Sequence, residues 1–127
     1  MSERKEVKPF KKQMLETYPD LFHYDYPDTG RAASKKKPPD YYVSYQGDNF
    51  LIEWKVPGGV VMSHQWESLF KAERNGVFCY IGTVYPTKTI VFQEIVSMKS
   101  FALEYVRGIG YVNIGNIFHN LIKIQRY

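Results

Sequence analysis

Two alternating runs separated by turn-forming residues dominate the hydrophobic pattern of the chain. Residues 41–46 and 50–56 are rich in aromatic and β-branched side chains, and Gly47-Asp48-Asn49 stand between them, which predicts a β-hairpin. Successive side chains of a strand point to opposite faces. In the first run Tyr41, Val43 and Tyr45 share one face, and Asp40, Tyr42, Ser44 and Gln46 the other. In the second, Phe50, Ile52, Trp54 and Val56 oppose Leu51, Glu53 and Lys55. One face is core. The other gathers two carboxylates and an amine, provided the register keeps its parity. A type II′ turn at Gly47-Asp48 sets Tyr42 opposite Glu53 and Asp40 opposite Lys55; a turn at Asp48-Asn49 slides the pairing by two and keeps the facing.

Helical spacing of Phe10, Met14 and Leu15, behind a Pro9 suited to a first turn and ahead of Pro19, predicts an N-terminal helix. Residues 21–26 read as a short aromatic strand and residues 27–39 as a loop, with Gly30, Ser34, three lysines and two closing prolines. After Pro57-Gly58-Gly59, Ser63 is expected to cap a helix carrying Trp66, Leu69 and Phe70, ended by Gly76. The near-continuous apolar run 77–84 predicts a central strand covered on both faces, with residues 89–92 paired beside it. Ser97 is expected to cap a further helix reaching Val106 and closed by Gly108, and residues 116–124 are apolar enough to dock but open as to type. The order is helix, three strands, helix, strand, strand, helix: an α/β pattern with a sheet flanked by helices. Gly108, Gly110 and Gly115 follow a predicted helix instead of linking a strand to one, so they are read as turn glycines and not as a phosphate loop.

A length of 127 residues supports one domain, residues 1–127. With 44% hydrophobic and 24% charged residues the composition is that of a globular protein and not of a disordered chain. No apolar stretch approaches a membrane span, and Met1-Ser2-Glu3-Arg4-Lys5 lacks the apolar segment of a secretory signal, so an intracellular, cytoplasmic protein without a membrane partner is expected. Cys79 is the only cysteine, which excludes an internal disulfide and a cysteine-based zinc site. The net charge of +4 is clustered, with Lys8, Lys11 and Lys12 near the start and Arg31, Lys35, Lys36 and Lys37 in one stretch. Such clustering favours a polyanionic partner, chiefly nucleic acid.

Beside that charge, the polar face of the hairpin acquires a chemical meaning. Phosphodiester hydrolysis needs carboxylates to hold Mg²⁺ or Mn²⁺ through oxygen, the metal to acidify a water and neutralise charge on the phosphate, and a cation to orient the attack. Asp40, Glu53 and Lys55 form a minimal set for this work. A Glu-x-Lys on a solvated edge strand is the commoner case in proteins, but Leu51 on the same side argues against a fully wet face. The rival from another class is a non-catalytic nucleic-acid-binding module, with tyrosines as stacking platforms and lysines on the backbone; a purely structural subunit is a third.

Pro39-Asp40, twelve intervening residues, Glu53-Trp54-Lys55, and then a helix bearing Gln65 resemble the PD-(D/E)XK nuclease superfamily. The nearest branch is that of the Holliday junction resolvases, of archaeal and phage type, and related VRR-type nucleases. The resemblance covers residues 6–92 and implies a restriction-endonuclease-like mixed β-sheet flanked by helices. It implies that Asp40, Glu53 and the main-chain carbonyl of Trp54 hold Mg²⁺, with Mn²⁺ as a substitute, that Lys55 is the catalytic lysine, and that Gln65 supports the lysine or the water. A glutamate of the first helix completes the site in the family; Glu6 and Glu16 compete for that place, Glu6 fitting the spacing slightly better. Further implied are DNA contacts by Arg31, Lys35, Lys36 and Lys37, extended by Lys11, Lys12, Lys71 and Arg74, and a homodimer that cuts four-way junctions symmetrically in recombination and repair. Flap or restriction-type cleavage is the alternative within the superfamily.

Overall fold

The computed structural model describes residues 3–26 and 39–125. The helices are α1 (Glu3–Glu6), α2 (Lys8–Thr17), α3 (Ser63–Arg74) and α4 (Ile117–Gln125). One sheet runs in the order β1 (Phe22–Asp25), β2 (Tyr41–Tyr45), β3 (Asp48–Lys55), β4 (Phe78–Val84), β5 (Ile90–Glu94) and β6 (Ser100–Leu103); β7 (Tyr105–Val106) and β8 (Gly110–Tyr111) form a separate small hairpin. Only the β3–β4 pair within the six-stranded sheet is parallel, and α3 is its crossover. This is the mixed α/β architecture the sequence predicts.

The β2–β3 turn is two residues long but sits one position earlier than expected. Gln46 and Gly47 both have positive φ, 49° and 86°, the backbone of a type I′ turn whose twist suits a hairpin. Asp48 and Asn49 therefore enter β3, and the pairing becomes Tyr41↔Ile52 and Tyr45↔Asp48. Relative to the expected register the strands have slid by two residues. Parity survives, and continuing the ladder by one residue sets Asp40 opposite Glu53, whereas the sequence reading had it opposite Lys55.

Strand alternation divides the core between the two faces of the sheet. Phe50, Ile52 and Trp54 point to the face covered by α2 and α4, where Phe10 and Met14 of α2 are fully buried; each such burial contributes about 1.5–3 kcal/mol. The Phe10 ring meets those of Trp54, Phe92 and Tyr111 at 5.8, 6.0 and 5.9 Å. On the opposite face Leu51, Cys79, Ile81 and Ile95 pack against Leu69 of α3. The central strand β4 is thus covered on both sides. Burial, reinforced by the charges of Glu73 and Glu94, pushes the Cys79 thiol up to about 12, so the thiolate is suppressed and the residue is an inert core group.

Residues 97–106 are not a helix. The Glu94 carboxylate accepts the N–H groups of Val96 and Ser97, at 2.9 and 2.6 Å, Met98 turns at a φ of 61°, and the chain returns as β6 along β5. The open C-terminal segment settles as α4, because Ile117, Phe118, Leu121 and Ile124 fall on one helical face and are all buried. Among the described residues no helix is long and apolar enough to cross a membrane.

Candidate active site

Asp40 directly precedes β2, and its main-chain carbonyl still accepts the Tyr26 N–H at 3.0 Å. Its side chain turns back on the hairpin: Oδ2 accepts the main-chain N–H of Trp54 at 3.1 Å. The carboxylate thus occupies the hydrogen-bonding edge of β3 where β2 has ended. Glu53 projects to the α3 side of the sheet, opposite to its neighbours Ile52 and Trp54. Both acids are nearly buried, 7% and 4% exposed. The ladder ends at Tyr41↔Ile52, one residue short of the two acids, and Asp40 reaches back to the main chain of Trp54, the residue next to Glu53.

Gln65 ties the second strand to α3. Its Nε2 donates to Glu53 Oε2 at 3.0 Å, and its Oε1 accepts from Lys55 Nζ at 3.1 Å and from the Met62 N–H at 2.8 Å. One amide therefore spaces the acid from the amine, whose Nζ stands 3.9 Å from Glu53 Oε2. The same amide satisfies an otherwise orphaned N–H at the helix start, as the third-position Gln of a capping box does. Met62, not Ser63, is the cap residue. A Gln two residues after Ser63 was the available sign that the cap lay one position earlier.

Trp54 is held from below by the absence of a side chain on β4. A Cβ on Gly82 would lie 2.7 and 2.8 Å from two indole carbons, so glycine here makes room for the ring whose main chain orients Asp40. No sequence pattern singled out Gly82, because its role depends on the parallel pairing Trp54↔Gly82.

The other expected site residues are dispersed. Glu6 lies on α1, half-exposed, where its charge, after burial and Tyr105, helps push the Tyr111 hydroxyl up to about 12. Glu16 is exposed on α2 and lines a shallow cleft beside Gly108, Ile109 and Gly110. Among the described residues no third His, Cys, Asp or Glu joins Asp40 and Glu53 in a metal-binding group. Lys11 is engaged on the α2 side, ion-paired with Asp25 and 4.8 Å above the Tyr41 ring; Lys12 is exposed. Lys71 and Arg74 fall in the last turn of α3, where the helix dipole favours cations. Arg31, Lys35, Lys36 and Lys37 lie outside the described residues.

The donor set fits a hard divalent cation. Two carboxylates and the Trp54 carbonyl would all offer oxygen donors, and Mg²⁺ is commonly held by one or two carboxylates with water completing its shell.

No protein-family pattern and no curated protein matches this chain. Among solved structures it is similar to Hjc, a Holliday junction resolvase from the archaeal hyperthermophile Archaeoglobus fulgidus. The two are 15% identical, with a TM-score of 0.52 over 77% of this chain and 87% of that one. At that level of identity the likeness is one of fold: the chain shares the mixed α/β fold of that resolvase.

Proposed function

We propose that the protein is a metal-dependent endonuclease that hydrolyses the DNA backbone at branched structures, most specifically as a Holliday junction resolvase. The observation that carries this reading is the pair of nearly buried carboxylates, Asp40 just before β2 and Glu53 on β3, with Lys55 fixed beside the second by Gln65. An arrangement of acids, amine and amide on one sheet face, in a fold shared with a resolvase, is accounted for by phosphodiester chemistry more fully than by stability.

In this mechanism Asp40, Glu53 and the Trp54 carbonyl would hold Mg²⁺, which when bound would supply a more acidic water and neutralise charge on the phosphate. The Trp54 N–H keeps the Asp40 carboxylate aimed. Lys55 places its ammonium against the attacking oxygen or the pentavalent phosphorus centre, where developing negative charge is stabilised by a pre-positioned donor. Gln65 holds that ammonium by Oε1 and prevents it from collapsing onto Glu53. Water attacks phosphorus and gives up a proton to solvent, the P–O bond to the leaving sugar oxygen breaks, and that oxygen takes up a proton from solvent. A homodimer places two such sites on a two-fold symmetric junction.

Purified protein incubated with a synthetic four-way junction, a flap and a linear duplex tests this reading, in Mg²⁺, Mn²⁺ and EDTA. Paired symmetric nicks in the junction are expected only with metal. Asp40→Asn and Glu53→Gln are expected to abolish cutting and retain binding. Metal-independent cutting, or full activity in both variants, refutes the assignment. Equal cutting of the linear duplex moves it to a general or restriction-type nuclease.

A further inference from the structure

The sheet face that carries Asp40 and Glu53 continues outward into a row of rings on the edge strand. Paired residues of antiparallel strands share a face, and the register Phe22↔Ser44, Tyr24↔Tyr42 puts Phe22 and Tyr24 on the side of Tyr42, Leu51 and Glu53. Tyr26, whose N–H bonds the Asp40 carbonyl, ends the row next to the acid. The intervening residues go to the other face, where His23 meets the Tyr41 hydroxyl at 2.7 Å and Asp25 pairs with Lys11. Edge strands are ordinarily blunted by charge, proline or a covering element. Here Phe22 is 58% and Tyr24 48% exposed, and neither packs into a core cluster.

These rings are pre-arranged. Phe22 stands edge-on to Tyr42 at 6.0 Å and Tyr24 edge-on to Tyr26 at 5.0 Å. The Tyr42 hydroxyl is anchored to Asn49 Oδ1 at 2.6 Å. Strands lie about 4.8 Å apart, so the row begins one strand away from Asp40 and two from Glu53. A nucleotide whose phosphate rests on the acids has its neighbours over these rings.

We infer that Phe22 and Tyr24, backed by a Tyr26 that packs against the core, form a stacking platform for unpaired bases flanking the scissile phosphate, which gives the site its preference for branched or frayed DNA. The inference rests on the nuclease reading of the same face. A base held in a duplex has both π-faces covered by its neighbours. A base freed at a branch point has a face to offer, and aromatic stacking is indifferent to its identity. The platform therefore selects for structure without reading sequence. Its continuity with the acids distinguishes it from the exposed apolar residues Val106, Ile109 and Val112, which lie on and beside the separate β7–β8 hairpin.

The test compares the parent chain with Phe22→Ala/Tyr24→Ala and Phe22→Trp/Tyr24→Trp. Binding to oligo-dT, to a four-way junction carrying 2-aminopurine at the branch, and to a fully paired linear duplex is measured in EDTA, with cutting measured separately in Mg²⁺. The alanine pair is expected to lose about ten-fold or more of its oligo-dT and junction affinity for each ring that stacks and to abolish the 2-aminopurine signal, with duplex affinity unchanged. The tryptophan pair is expected to retain both. Circular dichroism and a melting curve show whether the alanine pair is folded; if it is not, Tyr24→Thr, a strand-forming residue without a ring, takes its place with the same expectation. Equal loss on every DNA, or no loss on any, overturns the platform, as does a change from dimer to monomer in the alanine pair, which assigns the rings to a second copy of the chain. A parent that cuts while the variants bind as it does defeats the platform alone. A parent that never cuts, with ring-dependent binding intact, defeats the nuclease reading and leaves the platform standing.

Discussion

Gly82→Ala puts one methyl group where the fold has no space for it. Its Cβ would lie 2.7 and 2.8 Å from indole carbons of Trp54 and 3.1 Å from the Ile52 side chain, against comfortable carbon contacts of about 3.5–4.0 Å. The indole cannot swing aside. It is 1% exposed and hemmed by the rings of Phe10, Tyr41 and Phe92 at 5.8, 5.8 and 6.1 Å. Strands β3 and β4 must separate instead, an overpacking strain of about 1–3 kcal/mol, which for a domain of this size lowers the melting temperature by about 4–11 °C. Because the Trp54 N–H holds Asp40, the same displacement disturbs the proposed site. Metal-dependent junction cutting, measured at least 20 °C below the variant's own melting point, is expected to fall by more than the loss of folded protein explains. Gly115→Ala is the control, since nothing lies within 4 Å of its Cβ position. A Gly82→Ala protein that melts within about 1 °C of the parent and cuts as fast would falsify the link between the parallel strand pair and the acids.

Gln65→Leu removes the bridge from Glu53 to Lys55 and the bond to the Met62 N–H; cutting is expected to fall about 10–100-fold, with a stability loss of about 1–2 kcal/mol from the lost cap and bonds, read by parallel cleavage and urea titrations. Gln46→Asn is expected to stabilise by a few tenths to about 1 kcal/mol, because Gln46 holds a φ of 49° in a turn that prefers Asn-Gly; an unchanged urea midpoint goes against it. Alkali should destabilise the fold. Burial raises Cys79 from 9.0 to about 12 and Tyr111 from 10.0 to about 12, and raises Tyr41 and Tyr80 as well. The unfolded chain therefore loses these protons first, so stability is full below pH 9 and declines toward pH 12, by up to about 1.4 kcal/mol per pH unit for each group within its window. Melting curves between pH 8 and 11 check the sign.

The hairpin was legible because parity, and not the turn, decides which side chains meet. Moving the turn to Gln46-Gly47 changed Asp40's partner from Lys55 to Glu53 and left the face intact. The turn itself was misread because Gly47-Asp48 and Asp48-Asn49 are stronger local signals than a glutamine at positive φ, and only pairing on both sides of β3 outweighs them. The expected helix after Ser97 failed for a similar reason. Ser97 does cap, but Oγ accepts the Lys99 N–H inside a turn, at 3.1 Å, and the following residues are drawn into the exposed hydrogen-bonding edge of β5. The aromatic strand over residues 21–26 was legible, but its place beside the acids was not, and Gly82 was illegible, since each acquires its role from a strand distant in sequence. The acids, Lys55 and Gln65 stood out in the sequence because their spacing resembles a known pattern.

Strand β3 carries two messages in one frame: its even-numbered positions from 50 to 54 build the interior, and its odd-numbered positions from 51 to 55 carry Leu51 and the two charged groups. A single-residue insertion between Leu51 and Lys55 would interchange them, driving an ammonium among rings and turning an indole outward. Lengthening is tolerable at the Gln46-Gly47 tip, beyond the frame. Homologous chains should accordingly differ in length at the tip while keeping the spacing along β3 invariant, since an error there destroys stability and chemistry at one stroke.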